Sequence, residues 1–488
     1  MPLPKKHYLK ILDKDGIEAI HGASMDVLQK VGVKVQSARG LRVLGENGYS
    51  VDEKTGIVKM TESQVVAALK SCKRNFRWDA RREADSFDFV DGRTKFGPGA
   101  QCLYFIDPYS NALRQATLRD GILITRLLDA LDTCSLGYMP TYPNDVQEKA
   151  MSAVSWAVQT VNSAKPSYGG SADDESWELM MKMIDIILGD RELFRKKSLF
   201  AGYIDPISPL GHDQSMVDIL LRYSEHNQPV FVMVMALAGG TAPASLAGLL
   251  VQQNAEILSS IALARCVTKA PKIIYGSVSC PLDMRSGIAA TGTPEFSLIG
   301  AASVQIGRSY GLPTDMGVQS DSKISDAQTS YEKMQSALMA VLSGADFAEL
   351  FMGSTETFNA YSPIQLMIDD EIAAYVYRIA RGIEVDEETL SVDVISKTGP
   401  LGSYLSHPKT ITQFKREHSQ ARLSDRLTRQ QWMSSGSKPT EERARERMKS
   451  LLADHVPEPL EPEARKGLED LLREHAPGYS LPELERYS

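Results

Sequence analysis

Short apolar runs rich in β-branched and aromatic residues recur along the chain, and helical stretches separate them. The runs cover residues 101–107, 135–142, 165–171, 198–208, 229–240, 271–280, 312–318 and 345–354. The segments between them have helical periodicity, as in VDILLRYSEH and PASLAGLLVQQNAEILSSIALARC. Regular alternation of strand and helix predicts parallel strands joined by helical crossovers. Eight such units over about 250 residues predict an α/β fold of the (β/α)8 TIM-barrel type, with an open doubly wound sheet as the alternative.

The segments on either side of the predicted barrel have different patterns. Residues 1–95 contain one amphipathic helix, DGIEAIHGASMDVLQKVG, and are predicted to form an N-terminal cap that packs on the barrel. Residues 96–380 are the predicted barrel and catalytic domain. Residues 381–488 are predicted to be a C-terminal helical extension, and its charged tail is expected to lie across the barrel or across a neighbouring subunit.

Composition and charge narrow the class of partner. The formal net charge is −8 and the Lys and Arg residues are dispersed, which argues against nucleic acid or an anionic membrane as the main partner. The five cysteines include no closely spaced pair, which predicts free thiols in a reducing, cytoplasmic compartment. The N-terminus has no continuous apolar core of a signal peptide, and no window approaches about 18 uncharged apolar residues. A soluble, cytoplasmic protein is therefore expected.

In a barrel, functional side chains lie at the carboxyl ends of the strands and in the loops that follow. This rule selects the polar run from Gln319 to Lys323, which follows the seventh apolar run. Within it, Asp321 either faces a ligand or belongs to a solvated connector, whereas Asp326 is predicted to cap the next helix. His212 follows the fourth run and is either a site residue or a hydrogen-bonded loop histidine.

Aromatic residues also cluster at the predicted strand ends. Aromatic faces beside an acid such as Glu356 suit a quaternary ammonium ion, which carries charge but no hydrogen-bond donor. Ordinary packing is the alternative for each aromatic side chain. The histidines have no metal-ligand spacing, and neither a GxSxG elbow nor a nucleotide-binding motif is present. The aromatic candidates are Tyr104, Tyr142, Tyr168, Tyr203, Phe358 and Tyr361, and Asp205 is a further acid at a strand end.

Several long motifs resemble the trimethylamine methyltransferase family. They are GGTAPASLAGLLVQQNAEILS, TGTPEFSLIGAASVQIGRSYGLP, SDSKISDAQTSYEKM, IDDEIAAYVYRIARGIEVDEETL and FKREHSQARLSDR, in that order. The resemblance implies a TIM barrel that moves a methyl group from a methylamine or quaternary amine to the Co(I) centre of a cognate corrinoid protein. Members that act on trimethylamine carry pyrrolysine, whereas this sequence contains only standard residues and so resembles the non-pyrrolysine branch. That branch uses quaternary amines, and glycine betaine, which would be released as dimethylglycine, is the first guess.

The resemblance and the strand-end rule together give an expected site. Glu356 and Asp321 are expected to act in catalysis by facing the cation, and no metal ligand or permanently bound cofactor is expected. Glu356→Gln is expected to weaken methyl transfer at least about tenfold. A homo-oligomer is expected. The alternatives are a TIM-barrel lyase or decarboxylase for a small acid, and a non-catalytic family member that binds a quaternary amine. The expected substrate-binding residues are Tyr104, Tyr168, Phe358, Tyr361, Gln319, Lys323 and His212.

Overall fold

The computed structural model describes residues 9–99, 101–170 and 173–485. Its strands, in chain order, are β1 (Val33–Val35), β2 (Ser50–Asp52), β3 (Ile57–Lys59), β4 (Arg77–Trp78), β5 (Phe87–Asp88), β6 (Lys95–Phe96), β7 (Tyr104–Ile106), β8 (Leu113–Gln115), β9 (Ser167–Tyr168), β10 (Phe200–Ile204), β11 (Gly211–His212), β12 (Pro229–Val234), β13 (Leu237–Ala238), β14 (Lys272–Ser277), β15 (Cys280–Pro281), β16 (Thr314–Met316), β17 (Phe347–Ala348), β18 (Ser354–Thr355) and β19 (Ala360–Tyr361).

The α-helices, in chain order, are α1 (Lys14–Lys30), α2 (Ala38–Glu46), α3 (Glu62–Ser71), α4 (Leu118–Ala130), α5 (Met151–Asn162), α6 (Asp174–Leu188), α7 (Gln214–Glu225), α8 (Leu246–Arg265), α9 (Pro294–Ser309), α10 (Ala327–Ser343), α11 (Pro363–Arg381), α12 (Glu387–Leu390), α13 (Val392–Thr398), α14 (Pro408–Glu417), α15 (Arg429–Ser434), α16 (Thr440–Asp454), α17 (Pro462–His475) and α18 (Leu481–Glu485). Short 3-10 turns cover Glu83–Asp85, Glu148–Ala150 and Arg191–Arg195.

A parallel sheet of seven strands, in the order β6-β17-β16-β14-β12-β10-β9, forms the centre of the molecule. Every residue of β12 and β14 is buried, because both faces of the sheet are covered, and this explains why these strands do not alternate between apolar and polar residues. Past the edge strand β6, Ser135 N–H donates to the Phe96 carbonyl at 2.8 Å. Past the other edge, Gly137 N–H donates to the Pro166 carbonyl at 3.0 Å. The predicted α/β class is confirmed as a curled parallel sheet with helices between its strands.

The first predicted strand is wrong. Residues 104–106 of the run 101–107 form β7, which belongs to a separate four-stranded sheet of order β18-β19-β7-β8. The first strand of the parallel sheet is instead β6, which pairs with β17. The run 101–107 is apolar because β7 is largely buried within this second sheet, where Phe105 is almost fully buried. Apolar content alone does not distinguish one sheet from the other.

The N-terminal segment closes the interior at the amino ends of the strands. The Trp78 ring packs against Phe231 and Phe347, with centroid distances of 5.5 and 6.2 Å. Its neighbour Asp79 donates its N–H to the carbonyl of Ser198, just before β10. Because this end is filled with aromatic rings, a cavity inside the sheet can open only at the carboxyl ends.

Helix α8 is long and apolar enough to span a membrane by length and composition, but 72% of its most apolar window is buried inside the protein. Its buried face packs against α1 and α3 of the N-terminal segment. At the other end of the chain, α16 packs on α4 and α11, and α17 and α18 pack on α5. The C-terminal tail thus lies on the chain's own helical layer.

Candidate active site

A cavity of about 550 Å³ opens at the carboxyl ends of the parallel strands. Its walls come from the ends of β9, β10 and β12, from α5 and the start of α6, and from the loops after β14 and β17. The charged residues that line it are Asp173 and Asp205, among the residues that the structure describes. The aromatic side chains that line it are Tyr138, Tyr142, Trp156, Tyr168, Tyr203 and Phe358.

Three of these aromatic rings form one wall. Tyr168 meets Tyr138 and Tyr203 edge to face, with centroid distances of 5.4 and 5.6 Å. Edge-to-face packing is a favourable arrangement for aromatic rings and it fixes their orientation. The wall therefore offers rigid π surfaces of the kind that bind quaternary ammonium ions.

A fully buried carboxylate, Glu349, lies directly behind this wall. Tyr168 and Tyr203 donate their hydroxyl protons to its two oxygens, at 3.1 and 2.8 Å. Burial raises the pKa of Glu349 to about 7, although both hydrogen bonds favour the ionised form. Asp315 on β16 is also fully buried, and burial followed by repulsion from Glu349 raises its pKa well above the ordinary value. The pair therefore retains a proton at neutral pH.

Asp205 is one of the two acids that line the cavity, and it lies at the end of a central strand. It follows the last residue of β10, and the Met235 N–H donates to its Oδ1 at 3.2 Å. Burial in the wall raises the pKa of Asp205 to about 7, and the Coulombic repulsion of Glu256 acts in the same direction. A cation in the cavity would favour the ionised form, so Asp205 is suited to respond to a bound cation.

Of the residues expected to act in catalysis or bind substrate, Phe358 and Tyr168 line the cavity. Phe358 is placed there by a loop between β18 and β19 in which Glu356, Thr357 and Phe358 all have a positive φ, between 54° and 58°. This conformation is unfavourable for side chains other than glycine, so the loop needs support from its surroundings. Glu356 N–H and Thr357 N–H donate to the carbonyls of Ser322 and Ser320, respectively.

The run from Gln319 to Lys323 supports the loops at the mouth of the cavity. The Asp321 carboxylate accepts hydrogen bonds from Thr291 Oγ1 at 2.8 Å, Gly292 N at 3.0 Å and Thr357 Oγ1 at 2.9 Å. Gln319 is buried and donates to Ser354 Oγ at 2.9 Å. Lys323 is exposed and its ammonium donates to the Asp321 carbonyl at 2.6 Å. As predicted, Asp326 caps α10.

The other predicted residues lie away from the cavity lining. Glu356 is half-buried, and its carboxylate accepts from Asn359 Nδ2 at 3.3 Å. Tyr104 lies in β7, and Tyr361 is fully buried in β19. His212 is buried in β11, which pairs with β1, and its Nε2 lies 2.8 Å from Ser259 Oγ. Burial lowers the pKa of His212 to about 4, so it is neutral at physiological pH.

A buried ion pair holds the base of the loop that carries Phe358. Lys333 Nζ donates to Asp369 Oδ2 and to the Phe351 carbonyl, both at 2.7 Å. The same carboxylate oxygen accepts from Gly353 N at 2.8 Å, and both charged side chains are fully buried. The pair therefore fixes the course of the chain from 351 to 353.

Among the described residues, no group of three or more His, Cys, Asp or Glu side chains is placed to hold a metal ion.

Sequence reasoning missed Glu349 and Asp315, and its final choice left out three candidates that line the cavity, Asp205, Tyr142 and Tyr203. The signal for the first two was present, because each is an acid inside an apolar run, ADFAELF and LPTDMG. A buried acid in a strand needs a partner or a functional reason. Strand-end position alone does not reveal such residues, because they lie one layer below the cavity surface.

Comparison with known proteins identifies the family. The family described as "Trimethylamine methyltransferase (MTTB)" matches residues 2–477. A glycine betaine methyltransferase of Desulfitobacterium hafniense is 33% identical over 93% of this chain and 94% of its own length. Trimethylamine methyltransferase MttB of Methanosarcina barkeri is 32% identical over 92% of this chain and 91% of its own length.

Solved structures support the fold. The hydroxylamine complex of MtmB superposes with a TM-score of 0.52 over 92% of this chain and 90% of that one, at 12% identity. The Methanosarcina barkeri monomethylamine methyltransferase MtmB gives a TM-score of 0.51 over 98% and 88% of the two chains, also at 12% identity. The methyltransferase class predicted from the sequence motifs is confirmed by the relatives, and the chain belongs to the trimethylamine methyltransferase family.

Proposed function

We propose that this chain transfers a methyl group from a quaternary amine to the Co(I) centre of a corrinoid carried by a partner protein, and releases the tertiary amine. The observation that carries the proposal is the cavity, which is lined by aromatic rings and by Asp205, with Glu349 behind Tyr168 and Tyr203. Glycine betaine, named in one relative, is the first member of the class to test, with dimethylglycine as its product.

The chemistry requires little from the protein beyond binding and alignment. Transfer breaks a C–N bond whose electron pair stays on nitrogen, while the electron pair of Co(I) forms the new bond to carbon. The amine leaves as a neutral molecule, so no general acid is needed. We propose that Tyr168, Tyr203 and Phe358 hold the cation, direct one methyl group towards the mouth and exclude water. Because the positive charge disappears during transfer, a partly protonated pair of acids avoids over-stabilising the bound substrate.

We propose that the parallel sheet closes into the full (β/α)8 barrel. A parallel bridge between Phe96 and Cys134, together with the hydrogen bonds of Ser135 and Gly137, supports residues 134–137 as the eighth strand. The proposed domains are a cap over 1–95, a catalytic barrel over 96–380 and a helical extension over 381–488. The five unpaired cysteines support a reducing, cytoplasmic location.

We also propose that the chain forms a homo-oligomer through the apolar surface of residues 383–414. Helix α11 leads to it from the cavity end and finishes at the amino ends of the strands, where Tyr377 donates to the carbonyl of Thr94, next to β6. A corrinoid partner must reach the cavity at the opposite end, which leaves a second copy of this chain as the occupant. The exposed apolar side chains of this surface are Ile383, Val385, Leu390, Val392, Ile395, Leu401, Tyr404, Leu405, Ile411 and Phe414.

The apolar surface of residues 383–414 is large enough to form an interface between two copies of this chain. Leu401 is 108% exposed and Leu405 is 89% exposed, relative to the reference values for these residues. Together the apolar residues of 383–414 expose on the order of 1,000 Å², whereas each partner of a standard interface buries about 800 Å². Several of the charges nearby are paired within the segment, as between Lys409 and Asp393, so this surface is suited to contact a copy of itself.

Methyl transfer can be tested directly. Purified protein is mixed with Co(I) corrinoid under anoxic, reducing conditions, first with free cofactor and then with a candidate corrinoid protein, in the presence of a panel of quaternary amines and trimethylamine. We expect loss of the Co(I) spectrum matched by release of demethylated amine for at least one quaternary amine. A lyase or decarboxylase would instead convert a small acid without corrinoid. A non-catalytic member would bind the amine and leave the Co(I) spectrum unchanged.

A further inference from the structure

The cavity has a second wall that is polar and whose one charged side chain, among the described residues, is Asp173. It is built by one face of α5, which presents Ser152, Ser155 and Gln159 at helical spacing, and by Ser176 at the start of α6. No Lys, Arg or His side chain lines the cavity within the part of the chain that the structure describes. The acid on this side, Asp173, accepts from Ser176 N at 2.7 Å and thereby caps α6. That hydrogen bond lowers the pKa of Asp173, so it is ionised at neutral pH.

Ser155 is the unusual member of this wall. It is only 6% exposed, and its hydroxyl has no hydrogen-bond partner among the described residues. The other polar side chains of this wall have hydrogen-bond partners. The hydroxyl oxygens of Ser152 and Ser176 lie 3.4 Å apart, and the Gln159 side-chain oxygen accepts from the Ser167 hydroxyl. A buried hydroxyl without a partner is unfavourable, and buried polar groups in native structures are nearly always satisfied. The Ser155 hydroxyl oxygen is covered from solvent, and a rotation of the side chain that turns it towards the cavity would let a ligand group remove this deficit.

We propose that this wall is the subsite for an uncharged hydrogen-bonding arm of the substrate, with Ser155 as a specificity-determining residue. The inference rests on the proposed function and narrows it to quaternary amines with a hydroxyl-type arm, for which choline is the probe. A hydroxyl arm can both donate to and accept from the side chains of this wall. A carboxylate arm would enter a cavity whose charged side chains are acids and would meet no cationic side chain there.

The test compares three probes on the full chain: choline, glycine betaine and tetramethylammonium, which has no arm. Dissociation constants are measured by calorimetry and methyl transfer by loss of Co(I). We expect choline to bind at least about tenfold more tightly than glycine betaine. Ser155→Ala should weaken choline binding by about tenfold and change tetramethylammonium binding by less than about twofold.

A matched control is Ser224→Ala. Ser224 lies on α7, is 3% exposed and also has no hydrogen-bond partner for its hydroxyl among the described residues, but it does not line the cavity. The Ser224→Ala variant should therefore bind all three probes as tightly as the unmodified protein does. Glycine betaine binding as tight as that of choline, or equal losses of choline and tetramethylammonium in Ser155→Ala, would overturn the inference. Ser155-dependent choline binding without any methyl transfer would sink the proposed function and leave the subsite standing.

Discussion

Binding of a quaternary amine should depend on pH through Asp205. The pKa of this acid is raised to about 7 by burial in the cavity wall, and its carboxylate accepts a hydrogen bond from Met235 N. A cation interacts favourably with the ionised form, so affinity should rise with pH and reach a plateau once Asp205 is ionised. With a pKa near 7, about one tenth of the acid is ionised near pH 6 and about nine tenths near pH 8. Affinity should therefore increase roughly tenfold between these values, or about 1.4 kcal/mol.

The same linkage predicts proton release on binding. Calorimetric titrations near pH 7 in buffers of different ionisation enthalpy measure the number of protons released, which should be a substantial fraction of one. Asp205→Asn should bind more weakly near pH 8 and show a smaller dependence on pH, and any slope that remains would come from Glu349. Equal dissociation constants near pH 6 and pH 8 in the unmodified protein, without proton release, would refute the assignment of Asp205 as a counter-charge.

Three further predictions follow from the geometry. Tyr203→Phe removes a 2.8 Å hydrogen bond to buried Glu349 and should weaken amine binding by about tenfold. Glu356→Gln should change both amine binding and methyl transfer by less than about twofold, whereas the sequence alone led us to expect at least about a tenfold loss of methyl transfer; measuring both quantities in both variants separates the two expectations. Lys333→Met leaves Asp369 as an uncompensated buried charge and should lower the free energy of unfolding by about 3–5 kcal/mol. Denaturant titration measures this loss, and the double variant Lys333→Met/Asp369→Leu should recover part of it. Leu401→Asp/Leu405→Asp should shift the protein to a smaller species in analytical ultracentrifugation. The control Val456→Asp, at a site that is 82% exposed and lies outside the apolar surface of residues 383–414, should not. An unchanged oligomer in the double variant would reject the proposed interface.

The alternation of apolar runs and helical segments was enough to predict the α/β architecture. The runs 229–240 and 271–280 contain the central strands β12 and β14, where burial on both faces leaves an unmistakable apolar pattern. The same reasoning placed 101–107 in the wrong sheet, because an apolar run does not specify its strand partner. The short strands β6 and β17 have two residues each, too few for a periodic signal.

The candidate site was only partly predictable. Its position follows from the strand ends, which can be read in the sequence, but its geometry depends on contacts between residues that are far apart in the chain. Strand-end reasoning selected the face on which the cavity opens and named Tyr168 and Phe358, which line it. It gave Asp321 a ligand role, whereas the carboxylate is occupied by Thr291, Gly292 and Thr357, which lie about 30 residues away on either side. Such long-range hydrogen bonds leave no periodic trace in the sequence. The same is true of the tyrosine hydrogen bonds that make Glu349 part of the site.

The central claim is that a quaternary amine bound in this cavity gives up one methyl group to a corrinoid. The most direct measurement uses choline and glycine betaine with ¹³C-labelled N-methyl groups, Co(I) corrinoid and the protein, with the products followed by ¹³C NMR. We predict that the label leaves the amine and appears on the corrinoid in a one-to-one ratio with the demethylated amine, and that Tyr203→Phe/Asp205→Asn slows this transfer. Label that stays entirely on the amine with every corrinoid tested, or a double variant as active as the unmodified protein, would contradict the account.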